Sequence, residues 1–327
     1  MAARIVRWCL ETGDAELGLR LAGALWMFWY VGGDATEGRA LLAALLALPA
    51  AAPATAARAE SMLGAGQLAT AQGDYAAARG SLAESLALYR ALDDAWGTSE
   101  ALLAAGFVAR VEEEYAAARA LLEEALARSR TVGHRFMTAA ALHHLGMVAA
   151  DARGDAGTAR SFLEESLAGY RALGFQRFIA LVLRSLGDVA RTEGEYGRAR
   201  RLLRESLTTT VGAGDRLGFG GALGALAHLA ADEGQAERAV RVAGAAARER
   251  ERRGARPWPV EERRREGWLS AARGTLGDEV FKRAWAEGRA MDREQVVAYA
   301  LEDAPDAADA APRPSEGAAA AIVPPAG

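Results

Sequence analysis

Among 327 residues there is one cysteine, Cys9, and one lysine, Lys282. A single thiol excludes an internal disulfide framework and any metal site built from several cysteines. Every other cation is arginine, which a coding bias toward GC-rich codons explains. Aromatics make up 7% and β-branched residues are scarce, so the usual material of strands is missing. The net charge of −4 gives no positive field to attract nucleic acid or an anionic bilayer. The most apolar window, Leu21 to Gly33, falls short of the roughly 20 residues a membrane span needs. The start, MAARIVRWCLETGD, lacks the order of a secretory signal. A soluble cytoplasmic protein is expected.

What remains is alanine and leucine, the leading helix formers, within a hydrophobic fraction of 51%. That composition predicts an all-α chain. GDYAAARGSLAESLALYRAL, Gly73 to Leu92, returns as EEYAAARALLEEALARSRTV, Glu113 to Val132. Further copies begin at Gly154, Gly194 and, worn, Gly234, with an upstream copy from Gly33. The pairs Ala78-Arg79, Ala118-Arg119, Ala159-Arg160 and Ala199-Arg200 set a 40-residue period with one step of 41.

Each unit holds two helical stripes. Leu102, Ala105, Gly106 and Ala109 recur as Leu142, Leu145, Gly146 and Ala149, then as Leu183, Leu186, Gly187 and Ala190. That is one face of a helix, with small residues that admit a close neighbour. Tyr75, Ala78, Leu82 and Leu86 recur as Tyr115, Ala118, Leu122 and Leu126 on the second helix. Between the stripes, Gly73, Gly154, Gly194 and Gly234 suit a left-handed helix end. Asp74 and Asp155 follow as N-caps, while Glu114 and Glu195 replace them as poorer caps. Glu113 stands where glycine is expected, so that turn should be strained or differently shaped.

Such pairs bury their stripes only by stacking, which predicts a right-handed α-solenoid. The expected organisation is N-terminal capping helices over 1–32, repeats over 33–247, C-terminal capping helices over 248–302 and a disordered tail over 303–327. Within the third segment a helix should end near Gly254 and another begin near Val260 after Pro257-Trp258-Pro259. Two short helices should follow, around 278–288 and 292–301.

The spacing of Gly106, Tyr115, Ala118, Leu122 and Ala125 resembles the tetratricopeptide repeat, lengthened from about 34 residues. The stretch ELGLRLAGALWMFWYVGGDATEGRALLAALL, the QGDYAAAR copies and GDEVFKRAWAEGRAMDREQVVAYAL extend the likeness. Together they resemble the C-terminal helical region of bacterial LuxR-type and AfsR-type transcriptional regulators, over roughly residues 5–302. The resemblance implies a sensor arm that works with a nucleotide-switch ATPase domain. No phosphate-binding loop precedes Lys282, and no helix-turn-helix with a basic recognition helix is present in the sequence. Met1 begins mid-pattern for that family, so a fragment, a split gene product or a misassigned start is expected.

By analogy with tetratricopeptide arrays, the first helices should line a concave groove. Counting from Gly66, Gly106, Gly146, Gly187 and Ala227, the groove residues are Gln67, Phe107, Arg110, His143, Met147, Arg184, Asp188, Arg191 and His228. Arg110, Arg184 and Arg191 would grip a carboxylate or an acidic peptide. The alternative is that they merely keep an exposed face soluble. The implied partner is a protein or peptide, or a small effector, with the ATPase domain supplied in trans. No direct nucleic-acid or membrane contact is implied, nor a cofactor, a metal or a catalytic residue. A free-standing scaffold that bridges proteins is the other reading.

The remaining candidates have structural explanations. Adjacent His143 and His144 point about 100° apart on a helix and cannot share one ion. Trp26, Phe28, Trp29 and Tyr30 read as packed core rather than an aromatic ligand box. The Arg248–Arg265 cluster is interleaved with glutamates and reads as a solvated, partly paired face. Arg119–Glu123 and Arg160–Glu164 have the i, i+4 spacing of surface pairs.

Overall fold

A computed structural model describes residues 2–32, 34–152, 155–252 and 259–302. Within them lie sixteen α-helices, one 3-10 turn and no strand. The helices are α1 (Ala2–Thr12), α2 (Ala15–Gly32), α3 (Ala35–Leu46), α4 (Ala56–Ala71), α5 (Tyr75–Ala91), α6 (Ala95–Val111), α7 (Tyr115–Thr131) and α8 (Arg135–Asp151). Then come α9 (Ala156–Leu173), α10 (Gln176–Thr192), α11 (Tyr196–Gly212), α12 (Arg216–Asp232), α13 (Ala236–Glu251), α14 (Pro259–Leu276), α15 (Asp278–Ala290) and α16 (Arg293–Leu301). The 3-10 turn, Pro49–Ala51, follows α3. The turns expected at Gly33, Gly154 and Gly254–Trp258, and the tail 303–327, lie outside the described residues. Among the described residues no helix is long and apolar enough to cross a membrane.

The helices pair in sequence order, from α2–α3 to α12–α13, into an α-solenoid of tetratricopeptide-like pairs. The one 41-residue step has a local cause. The link from α8 to α9 spans 152–155, one residue longer than links such as 112–114 and 193–195.

The turns at 72–74, 112–114, 193–195 and 233–235 share one hydrogen-bond pattern. At Gly73, φ is +77°, and the Asp74 amide donates to the Ala69 carbonyl at 3.0 Å. That is the glycine-ended helix terminus anticipated from sequence. Glu113 adopts φ +64°, with the Glu114 amide donating to Ala109 at 2.8 Å. The turn therefore keeps its shape and stores strain, on the order of 1–2 kcal/mol for a non-glycine residue. Asp93 does the same at φ +54° in the link after α5. Asp74 and Asp155 accept from amides three residues on, whereas Glu114 and Glu195 make no side-chain cap.

Pairs lock together at a notch. A β-carbon on Gly66, Gly106 or Gly146 would lie 2.6–2.7 Å from the Cγ of Leu82, Leu122 or Leu163. At Gly187 it would lie 2.5 Å from Leu203 Cδ2. Each leucine of a second helix thus fills the missing side chain of its first helix. Beside the notch a buried serine crosses the pair. Ser85, Ser166 and Ser206 donate to the carbonyls of Ala59, Ala139 and Ala180 at 2.7–2.8 Å.

Neighbouring pairs are then tied by arginine. Arg39 donates to Asp74 at 2.8 Å, Arg200 to Glu233 at 2.7 Å, and Arg160 to Glu193 and, at 3.3 Å, Glu195. The recurrent arginine therefore reaches the turn of the next repeat, and the expected Arg160–Glu164 pair is replaced by Glu164 with Arg198. A second ladder joins Arg90 to Glu124, Arg130 to Glu165 and Arg171 to Glu205 at 2.7–2.8 Å. These pairs are solvent-exposed, so each adds about 0–1 kcal/mol.

Two alanine substitutions separate packing from propensity. Gly106→Ala should destabilise the chain by about 1–3 kcal/mol through overpacking against Leu122. Gly80→Ala, where a β-carbon on α5 meets nothing within 4 Å, should stabilise it by about 0.5–1 kcal/mol. Urea unfolding followed by circular dichroism reads both; effects of the same sign would refute the notch.

Candidate functional site

The first helices α4, α6, α8, α10 and α12 stand side by side as one wall of the solenoid. One position after each notch residue come Gln67, Phe107, Met147, Asp188 and His228, all half-buried. A turn further along the wall, the arginines are already committed. Arg110 donates to Asp151 at 2.5 Å and lies over the Phe107 ring, 5.3 Å from its centroid. Arg191 donates to Asp232 at 2.5 Å and has Asp188 at 3.7 Å. Two of the three arginines expected to await a carboxylate thus already hold one. Arg184 leans toward α12, where its Nη1 lies 2.8 Å from the place of a β-carbon on Gly221.

The histidines divide between neighbours. His143 is buried, not open to the groove, and its Nε2 lies 3.0 Å from Ser185 Oγ on α10. The Ser185 hydroxyl also lies 3.2 Å from the Leu181 carbonyl, so the pair sits in a helix-to-helix hydrogen-bond network. His144 instead packs edge-on against Phe107 of α6, ring centroids 5.7 Å apart. His134 caps α8, its Nδ1 accepting from the Met137 amide at 3.1 Å.

His228 Nε2 sits 3.3 Å from Arg191 Nη1. A guanidinium can only donate, so the imidazole accepts there and is neutral. Burial, followed by the Arg191 charge, holds its pKa down to about 4. Burial and then Arg110 push His144 down to about 3. Burial also takes His143 well below the usual value, reinforced by His144, Arg184 and Arg110.

An unexpected element completes this wall. The N-terminal half of α14 crosses this row of helices. Arg263 pairs with Glu113, Arg264 Nη2 lies 3.0 Å from Asp151 Oδ1, and Trp268 stacks on His228 at 5.8 Å. The Arg248–Arg265 cluster is partly paired, as its charge pattern suggested, but two of its pairs reach back to α7's turn and α8. Sequence reasoning missed Asp151 and Asp232 as well. Their signal was available, since each stands 41 residues after its arginine.

The other candidates sit elsewhere. Trp29 is buried against Gly38, and Trp26 packs on Gly64, 6.1 Å from the Tyr30 ring. Phe28 breaks that reading, being 63% exposed. Cys9 is buried, and burial raises its thiol pKa. Among the described residues no three His, Cys, Asp or Glu side chains form a metal-like group.

Two outcomes follow from this geometry. Asp151→Ala strips a buried arginine of its partner and should cost about 3 kcal/mol, against under 1 kcal/mol for Arg264→Ala, as read by urea unfolding. The depressed histidines refuse protons that the unfolded chain accepts near pH 6.5. Stability should therefore be level above that pH and fall as pH drops from 6.5 toward 4. His144→Leu should recover about 1–2 kcal/mol of the loss between pH 7 and pH 5; an unchanged slope would show that His144 does not contribute.

No curated protein matches the chain by sequence. A model of the tetratricopeptide repeat matches residues 97–172, which contain most of α6 and all of α7 and α8, and α9 almost to its end. Among solved structures, the fold is similar to a Rap protein complexed with competence and sporulation factor, with TM-score 0.59, 14% identity, and coverage of 84% of this chain and 76% of that one. It is similar to the Rap conjugation gene regulator of the plasmid pLS20 in complex with the Phr* peptide (0.55, 12%, 84% and 76%). It is also similar to a Signal Transduction ATPase with Numerous Domains carrying a tetratricopeptide repeat sensor, from Pyrococcus horikoshii (0.54, 13%, 88% and 43%). At such identities the likeness is one of fold: the chain is an α-solenoid of tetratricopeptide-like pairs, with the match to the repeat model at 97–172.

Proposed function

We propose that this solenoid is a binding module that takes a peptide, a protein segment or a small effector in its concave groove. In this reading it is the sensor arm of a LuxR/AfsR-like regulator and passes its bound state to a nucleotide-switch ATPase domain. One observation carries the proposal. The notch row stays small at Gly66, Gly106, Gly146, Gly187 and Ala227, while the adjoining inward row is Gln67, Phe107, Met147, Asp188 and His228. Packing fixes the first row in every repeat. The second differs in every repeat, as recognition of an asymmetric ligand requires.

The structural likenesses support the same reading. One Rap regulator is in complex with a peptide, and the Pyrococcus protein joins a tetratricopeptide repeat sensor to an ATPase. This chain spans 43% of the latter, so the switch domain is part of the proposal.

A peptide array probed with the intact chain tests the groove. Arg184→Ala with Asp188→Ala should weaken any specific binding at least about tenfold, whereas Arg130→Ala on the outer ladder should leave it within about twofold. Equal losses at both places would remove the groove from the account.

A further inference from the structure

We infer that α14 is a resident ligand of the groove, and that the partner the groove selects is a segment presenting an arginine pair with an aromatic residue four positions on. The inference rests on the groove-binding reading above and gives its ligand a recognition pattern. The open arginines of the sequence suggested an acidic partner, but the receptor groups left facing α14 are acidic. Asp151 is partly buried, with one carboxylate oxygen held by Arg110 and the other turned to Arg264. The scaffold thus fixes that carboxylate in place and leaves half of it for an occupant. Glu113 supplies a second acceptor from the strained α6–α7 turn, and His228 supplies the stacking face for Trp268. These three contacts come from three different repeats, so they define a track along the groove rather than one point.

The tether is light where it crosses the groove. Arg263 and Arg264 keep 60% and 51% of their side chains exposed. The only fully buried described side chain of α14 is Ala272, in the half where Leu269 and Leu276 pack near Val240 and Phe281. The anchored end holds α14 to α13 and α15, while the crossing end rests on exposed ion pairs and on Trp268, which stacks on His228 and packs partly buried against the core beneath it. Such ion pairs contribute little each and weaken with salt. The crossing half belongs to the part of the chain that opens at low cost. It competes because it is tethered, at an effective concentration that a free ligand must exceed. Docking of α14 and binding of a partner are then mutually exclusive, and the chain is held closed until a better-matched arginine-bearing segment arrives.

The test uses a labelled synthetic peptide with the sequence of Glu261–Ala271 and the full chain, wild type or carrying Arg263→Ala, Arg264→Ala and Trp268→Ala. Fluorescence anisotropy should show at least tenfold tighter binding to the triple variant than to wild type, weakening as salt is raised. A peptide with the same three residues replaced by alanine should not bind. Asp151→Asn added to the triple variant should abolish the gain, with Glu113→Gln as a milder check should Asp151→Asn unfold the chain. Hydrogen exchange should speed at residues 261–268 of the triple variant while α15 stays protected. Equal affinity for both chains, or preference for an acidic peptide, would overturn the inference. An acidic peptide lost on Arg184→Ala would leave the groove-binding reading standing; failure of the triple variant to bind any peptide would remove both.

Discussion

Everything in this molecule depends on how closely the first and second helix of each pair approach. The approach is set by a missing β-carbon. Leu82, Leu122, Leu163 and Leu203 occupy the space that side chains at Gly66, Gly106, Gly146 and Gly187 would need. The notch recurs at the same place in four successive pairs, and in three of them the serine bridge lies beside it. A solenoid is a sum of such units and their interfaces, so a small, repeated contact governs the whole. The notch also decides which residue faces inward, since its immediate neighbour is carried onto the wall.

That geometry explains why conspicuous motifs turned out to be framework. The recurrent arginine follows the buried alanine of the second helix and is aimed at the following turn, where it neutralises glutamates and Asp74. On the inner wall, Arg110 and Arg191 are spaced to meet Asp151 and Asp232 from the next repeat. Each pair is largely shielded from water, so losing one member leaves an expensive charge behind. The neutral histidines beside them fit the same electrostatics: burial and neighbouring guanidiniums both oppose a further proton.

α14 changes how the groove is understood. Viewed through its own arginines, the wall appears to be an anion receptor. With Asp151 shared between Arg110 and Arg264, the wall is balanced within itself and turns acidic groups toward its occupant. In the proposed reading, a helix anchored at one end and exposed at the other is the element whose equilibrium a ligand would bias.

The sequence by itself determined the solenoid. Helix propensity, the two stripes and the 40-residue period left one way to bury the apolar faces, and the helix ends fell where glycine and aspartate placed them. It also marked Gln67, Phe107, Met147, Asp188 and His228 as one row, because they share a position beside the notch. Only the tertiary structure decided the partners of the charges. The Arg160–Glu164 spacing fits a helix pair, yet Arg160 crosses to Glu193 in the next turn and Glu164 takes Arg198. Phe28 looked like core and is exposed, because the hydrophobic stripe of α2 turns away from it. The return of α14 across the groove could not be read locally: Arg263 and Glu113 are 150 residues apart, and only the winding of the intervening repeats brings them together.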